Sequence, residues 1–555
     1  MKKKQIIASL FVIGIISLLM KLYFVDFSTY IVSDTTSYAL NAFSYINNDF
    51  TPIQNKNPGW PIFISIFFQL FESESFIEYG NIIRILSISI ATLTILPVYL
   101  LARKWFPQKY SIVAASFFAF EPHLNYHAGW GYSEPLYLIF WVAAFYFISS
   151  SKYKFIFLAF VCAGLIWWIR WPGAIMFVIL SVIYFINLRH IQNAYVKYFG
   201  CLGIFMIIIA PILLQRYEEF GNPLHYGISS QMFVGDFALL QSNIINKSYE
   251  TYTILDSIRD NGFFGFVNKF VFVGTINLFS VFIKNLFPYL IILFPIGIIL
   301  SIREEKNRKN VRANGILILI TLVSMVVSFS VVQDKRFLYN LIPFIILFSI
   351  IPVQRIVENG FNVISISKKQ KDYLLIILVI LILILSLFFM QRYDSRDEVE
   401  FEEKTKFAQH MLDNFEGVMV DAGQTTSGVR YLKLENPPEA FKTYQNSNHN
   451  FPQETMLKEG YLVPFANDDK LVLVAVYAKT LDEFIQVAQE YGIKYVAVRE
   501  EGPTMQLYPY LDQIYHNESN YEFFEKVFDS KVMKYEKLHV KVFEINFEKF
   551  YNLKD

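Results

Sequence analysis

Cysteine is nearly absent: Cys162 and Cys201 are the two in 555 residues, and both fall in apolar runs. They match no zinc-ligand or redox spacing, so the sequence carries no disulfide framework and the pair reads as packing. Net charge is also lacking, at +1. That balance gives no electrostatic footprint for nucleic acid, which is not expected as a partner. No internal repeat is visible. No small-residue cleavage site follows the apolar run behind Met1-Lys2-Lys3-Lys4, which extends to about Phe24. That run is expected to be a retained span and not a signal peptide.

What the chain does have is apolar residues, 54% of the total, too many for an ordinary soluble protein. A bilayer core needs about twenty of them per helix. Candidate runs lie near 5–24, 80–102, 110–127, 133–150, 153–170, 172–188, 196–215, 284–302, 313–332, 337–354 and 372–391. This is an α-helical polytopic membrane protein of about eleven spans, because lipid cannot satisfy an open backbone. Basic residues recur at alternate connections: Lys2 to Lys4, Arg103, Lys104 and Lys109, Lys152 and Lys154, Arg189 and Lys197, Arg303 to Arg312, and Arg355 to Lys371. The positive-inside rule makes these cytoplasmic. The N-terminus is then cytoplasmic, in a multi-pass plasma-membrane protein. The loops 25–79, 122–132 and 216–283, and everything after 392, are external.

From about 393 to 555 the composition becomes that of a small α/β extracytoplasmic domain. Gly417–Asp421, Leu471–Val476, Ile493–Val498 and His539–Ile545 read as strands. Thr480 and Glu483 have capping-box spacing for a helix that runs to about Tyr491, with Gly492 beyond it. Asp421-Ala422-Gly423-Gln424 followed by Gly428 lacks the spacing of a nucleotide fingerprint and reads as a strand-to-loop turn.

The chemically interesting residues gather on the external side. Asp34 follows the first span in a loop with several carboxylates and a single Lys or Arg, Lys56. A carboxylate there can act as a base, a metal ligand or an ion site. Thr36 to Phe50 reads as an amphipathic surface helix, and Asn57-Pro58-Gly59-Trp60-Pro61 leads a run at 62–71 that is too short to span. In the next loop Glu121, His123, His127 and Glu134 fall within sixteen positions. His123 and His127 are four apart, which suits either a metal pair on one helical face or interfacial histidines. Glu134, in Ser-Glu-Pro, is either a site acid or a helix-start residue. Arg170 sits in Trp167-Trp168-Ile169-Arg170-Trp171-Pro172-Gly173, which fits cation–π anchoring or a lipid phosphate. Lys335 and Arg336 break the positive-inside pattern next to a span. They fit phosphate binding, an Arg336–Asp334 surface pair or snorkelling.

Asp34, Gly131-Tyr132-Ser133-Glu134-Pro135-Leu136, Ile169-Arg170-Trp171-Pro172-Gly173 and Arg336-Phe337-Leu338 with Pro343 occur in an order and on a membrane side that resemble the GT-C superfamily of membrane glycosyltransferases. The resemblance is to the protein O-mannosyltransferase and aminoarabinose-transferase branch, over about residues 1–390 of a transmembrane domain expected to span 1–392. It departs from the pattern where Thr35 follows Asp34 in place of a second acid, and where Glu134 stands for a common Asp. The resemblance implies a donor sugar on a dolichyl or undecaprenyl phosphate. Transfer is to a protein, lipid or glycan acceptor at the outer leaflet, with inversion. It also implies Asp34 as general base and Arg336, with Lys335 and Arg170, on the donor phosphate. A divalent metal held by Glu134, Glu121, His123 or His127 is the accompanying expectation. The competing readings are a lipid-linked sugar flippase and a non-catalytic glycan-assembly subunit. The missing repeat and the one-sided clustering of polar residues weigh against transport.

Overall fold

The computed structural model describes residues 3–31, 34–50, 56–150, 152–188, 192–225, 232–235, 253–302, 308–360, 367–421, 462–467, 471–476, 478, 480–501 and 509–553. The first half is a bundle of helices: α1 (Lys3–Tyr23), α2 (Asp34–Ile46), α3 (Gly59–Leu70), α4 (Phe76–Leu93), α5 (Ile95–Ala102), α6 (Gln108–Ala119), α7 (Pro122–Ala128), α8 (Glu134–Ile148), α9 (Tyr153–Ile169), α10 (Gly173–Leu188) and α11 (Ala194–Phe220). Further helices follow at Leu290–Ser301, Arg308–Phe329, Ile342–Arg355 and Lys368–Asn414. Seven helical stretches among the described residues are long and apolar enough to cross a membrane. Ile342–Arg355 runs through the middle of the bundle, with Phe344 to Val353 buried.

One expected span and one expected loop depart from the sequence reading in ways that bear on the site. The run 110–127 breaks into α6 and α7, because Pro122 cannot donate to the preceding turn and forces Glu121 into an extended conformation (φ −70, ψ 118). The second difference is Ile254–Asn285, which the sequence assigns to the external loop 216–283. It is a helical stretch of 32 residues apolar enough to cross. Asp256, Arg259 and Asp260 at its start, and a bend at Gly262 (φ 72), hide that character from a hydropathy reading.

Two short helices position the outer mouth. In α2, Tyr38, Ala42 and Phe43 are buried on one face, as its amphipathic pattern requires. They pack with Trp60, Ile64 and Phe68 of α3 and with Phe76, Tyr79 and Ile83 of α4. At 12 residues, α3 is too short to span. It lies close against the end of α9: a Cβ on Gly59 would come within 2.7 Å of the Trp168 carbonyl carbon.

The 47-residue helix Lys368–Asn414 continues out of the bundle into the C-terminal domain. There, strands β1 (Gly417–Asp421), β2 (Leu462–Asn467), β3 (Leu471–Val476), β4 (Ile493–Arg499), β5 (Phe524–Asp529) and β6 (Val540–Ile545) form one sheet in the order β2-β3-β1-β4-β6-β5. The central β3-β1-β4 pairs are parallel and the outer pairs antiparallel. One face takes Phe407, Met411 and Leu412 of the long helix against Met419, Leu473, Tyr495 and Val542. The other packs Val420, Val474, Val496 and Phe543 on Phe484 and Ile485 of the helix Leu481–Glu490 and on Leu511 and Ile514. Burial on both faces is why the central strands read as unbroken apolar runs. Thr480 accepts the Glu483 N–H as the cap requires, at 3.2 Å. Gly492 takes the left-handed φ of +63 that ends such a helix. Gly423, Gln424 and Gly428 lie outside the described residues.

Candidate active site

Asp34 opens α2, where a negative charge meets the helix's N-terminal N–H groups favourably. The next residue ties that turn down: the Thr35 hydroxyl donates to the Trp130 carbonyl at 2.7 Å. Trp60 Nε1 donates to the Gly131 carbonyl at 3.2 Å. Gly131 has φ +76, and a Cβ there would press on Thr35 and Ile83 at 3.0 Å, so this turn requires glycine. Thr35 is a buried structural hydroxyl.

Four segments then bring charge to Asp34. Lys56 Nζ stands 2.6 Å from Oδ1 and 4.5 Å above the Tyr38 ring centre. Arg336 Nη1 stands 3.0 Å from Oδ2. Arg336 belongs to the 3-10 turn Lys335–Leu341, whose cap is Asp334. Asp334 accepts the Arg336 N–H at 2.9 Å and holds its side chain through Nε and Nη2, at 2.7 and 2.6 Å. The guanidinium lies 4.3 Å from the centre of the Tyr132 ring and 3.8 Å from Glu134 Oε1. Glu134 is paired in turn with Arg170 Nη1 at 2.6 Å. The result is one network: Lys56–Asp34–Arg336, with Asp334 and Glu134 on Arg336, and Arg170 on Glu134. Burial alone would raise the Asp34 carboxyl. The nearby charges of Lys56, Arg336 and Arg170 overcome that and hold it well below the usual carboxylate range.

The structure therefore brings together Asp34, Glu134, Arg170 and Arg336 of the residues singled out from sequence. Arg170 meets a carboxylate, where the sequence left a choice between ring anchoring and phosphate. The Arg336–Asp334 pair exists, and it is part of the site. Lys335, Glu121, His123 and His127 form a neighbouring set, and His127 and Glu134 line one pocket. In that set the Lys335 charge acts on Glu121 and on both histidines. His123 and His127 do share one helical face, but His127 Nδ1 lies 2.9 Å from the His123 carbonyl and 3.0 Å from the Tyr339 hydroxyl. Glu121 caps α7 by accepting the Leu124 N–H at 2.7 Å. It is 1% exposed. Burial pushes its carboxyl up to about 8, against the pull of the Leu124 and His123 N–H groups and of Lys335. No group of three or more His, Cys, Asp or Glu close enough to hold a metal occurs among the described residues.

Sequence reasoning missed the parts played by Lys56 and Tyr132. The one signal for Lys56 is its isolation as the single basic residue of an otherwise acidic loop.

No family model and no curated protein matches the sequence. Solved structures do match. The oligosaccharyltransferase of Archaeoglobus fulgidus, tethered with an acceptor peptide containing the NVT sequon, superposes with TM-score 0.54 at 15% identity over 92% of this chain and 71% of that one. The same archaeal enzyme with an inhibitory peptide and a dolichol-phosphate gives 0.52 at 13% identity, over 93% and 72%. Its complex with Zn and sulfate gives 0.52 at 14%, over 87% and 67%. At this identity the likeness shows a fold: the chain folds like that archaeal oligosaccharyltransferase, and its long apolar helices make it a multi-pass membrane protein.

Proposed function

We propose that the chain is an integral membrane glycosyltransferase. It moves a sugar from a polyprenyl-phosphate-linked donor to an acceptor at the outer face of the plasma membrane, with inversion. The observation that carries this reading is the placement of Asp34 in direct contact with Arg336 and Lys56, beside Glu134 and Arg170. A carboxylate next to converging cations suits a reaction in which a proton is taken from one oxygen while negative charge grows on another. The likeness to a transferase solved with a dolichol-phosphate supports the donor class.

The step balances as follows. The acceptor hydroxyl attacks the anomeric carbon from the face opposite the phosphate. Its proton passes to Asp34. The new carbon–oxygen bond forms as the bond to the lipid phosphate oxygen breaks, and the polyprenyl phosphate leaves with the electron pair. Arg336 meets the leaving group. Its Nε and Nη2 edge is fixed by Asp334, so Nη1, now shared between Asp34 and Glu134, is the atom that turns to phosphate. Arg170 keeps Glu134 from competing for it. Low dielectric near the headgroups strengthens each of these contacts.

The carboxylates at this mouth are already neutralised by lysine and arginine. As arranged, this donor set does not fit a divalent ion, and no step is routed through one. Arg336 occupies the place between Asp34 and Glu134 that a cation would take.

The test is release of polyprenyl phosphate from a sugar-loaded undecaprenyl or dolichyl phosphate by purified protein. Asp34→Asn is expected to abolish release, a loss of about a hundredfold or more, with membrane insertion intact. Near-normal turnover in that variant would sink the base assignment. A flippase or an assembly subunit releases nothing in either form.

A further inference from the structure

Lys56 does not find Asp34 through the freedom of its own side chain. Its main chain is clamped. The Lys56 carbonyl and Asn57 Oδ1 both accept from Arg216 Nη2, at 3.3 and 3.0 Å. Arg216 Nη1 donates to the His225 carbonyl, and Asn57 Nδ2 donates to the Trp167 carbonyl. Arg216 is 4% exposed and lies in the last two turns of α11. These acceptors are carbonyl oxygens from the 56–57 segment and from the chain just past α11. A buried guanidinium is costly unless it is fully engaged, and this one is engaged in fixing the backbone that carries Lys56.

The far end of that strut is the base. The groups facing Asp34 are Lys56 from the segment before α3, Arg336 from the 3-10 turn, Arg170 from the end of α9, and Tyr38 from its own helix. Tyr132 and Glu134 face it from the segment that starts α8. Arg336 is divided among Asp34, Asp334 and Glu134, and Arg170 pairs with Glu134. Among the described residues Lys56 pairs with Asp34 alone. It is therefore the cation whose position bears most directly on this one carboxylate.

We propose that Arg216 is a positioning residue for the base: it holds the Lys56 ammonium on Asp34 and acts on that carboxylate only through this contact. The inference rests on the reading of Asp34 as the base, yet it is testable without turnover. Without Lys56 held in place, Asp34 loses a favourable charge and keeps its proton to higher pH.

The full-length protein in detergent is treated with a water-soluble carbodiimide, and the peptides carrying Asp34 and Lys56 are followed by mass spectrometry. The wild type is expected to give the zero-length Lys56–Asp34 cross-link. Arg216→Gln should lower its yield severalfold. Asn57→Ala, which removes one of the clamp's acceptors outside the span, should act in the same direction. With an added amine, labelling of Asp34 should persist to higher pH in Lys56→Met and in Arg216→Gln. The double variant should match Lys56→Met alone. An unchanged cross-link in both clamp variants overturns the proposal. So does a double variant whose labelling profile moves beyond that of Lys56→Met, since Arg216 would then act by another route. Failure of the glycosyltransferase reading shows separately, as turnover retained by Asp34→Asn while the cross-link still depends on Arg216.

Discussion

Asp34 and Glu121 are two carboxyls near the 3-10 turn Lys335–Leu341, and their surroundings shift them in opposite directions. Asp34 is met by Lys56 and Arg336 and stays ionised despite burial. Among the described residues no ion pair reaches Glu121. Its carboxyl meets the backbone N–H groups of Leu124 and His123, and burial pushes it up to about 8. Burial penalises the charge at both positions, so the difference is made by which cations stand within contact. Lys335 and Arg336 are adjacent in sequence, and Arg336 pairs directly with Asp34 and Asp334. The proposed reaction needs an ionised carboxylate as base, and Asp34 fits that requirement.

The largest effect that tests this contrast is expected from Arg336→Ala. It removes the group shared by Asp34, Asp334 and Glu134. Turnover should fall by about a hundredfold to a thousandfold, the usual cost of a lost charge-stabilising donor. Affinity for undecaprenyl phosphate, read by titration of the purified protein, should fall with it. Unchanged affinity would assign this arginine a purely structural role and leave Asp34 without a partner for the leaving group.

Glu134→Gln comes next, and it acts on stability. Glu134 is 7% exposed, and Arg170 depends on it. Removing one partner of a buried pair leaves the other charge uncompensated, at a cost of about 3 kcal/mol. Thermal unfolding in detergent should show a clear drop for Gln. Asp at this position should recover part of the loss. If Glu134→Gln unfolds like the wild type, the pair with Arg170 is not a structural contact.

Much of this was legible in the sequence, in a way that follows the physics. The spans come from hydropathy, because a bilayer imposes a length. The β1, β3, β4 and β6 strands come from apolar runs and alternation, because the sheet is covered on both faces. Asp34, Glu134, Arg170 and Arg336 stood out because charge beside a span is costly and needs a reason. Pairing was not legible. Lys56 and Asp34 lie 22 positions apart, and Arg336 and Asp34 lie 302 apart, and no periodicity links them. The 254–285 helix was hidden by its polar first turns and the Gly262 bend. The histidines left two readings open, because helical spacing fixes a shared face but not where a ring nitrogen points: His127 Nδ1 faces the His123 carbonyl and Tyr339.

The smallest effect is the sharpest check on the comparison. Near pH 5 a Glu121 carboxyl pushed up by burial to about 8 is protonated, so there Glu121→Gln exchanges one neutral acceptor for another at the α7 cap. The expected loss is under about 1 kcal/mol, against the larger loss for the equivalent change at Glu134. The pH dependence fixes the sign. A carboxyl raised from 4.5 in the unfolded chain to about 8 in the folded one binds an extra proton on folding between those values. Its contribution to stability is therefore complete below about pH 4.5, declines as pH rises, and levels off once the folded-state group ionises above about 8. Glutamine has no such slope. Unfolding temperatures measured from pH 5 to about 9 should bring the Gln variant from near-equality with wild type to greater relative stability. A wild type that gains on the variant as pH rises would mean that Glu121 is ionised and paired like Asp34. The two carboxyls would then no longer differ.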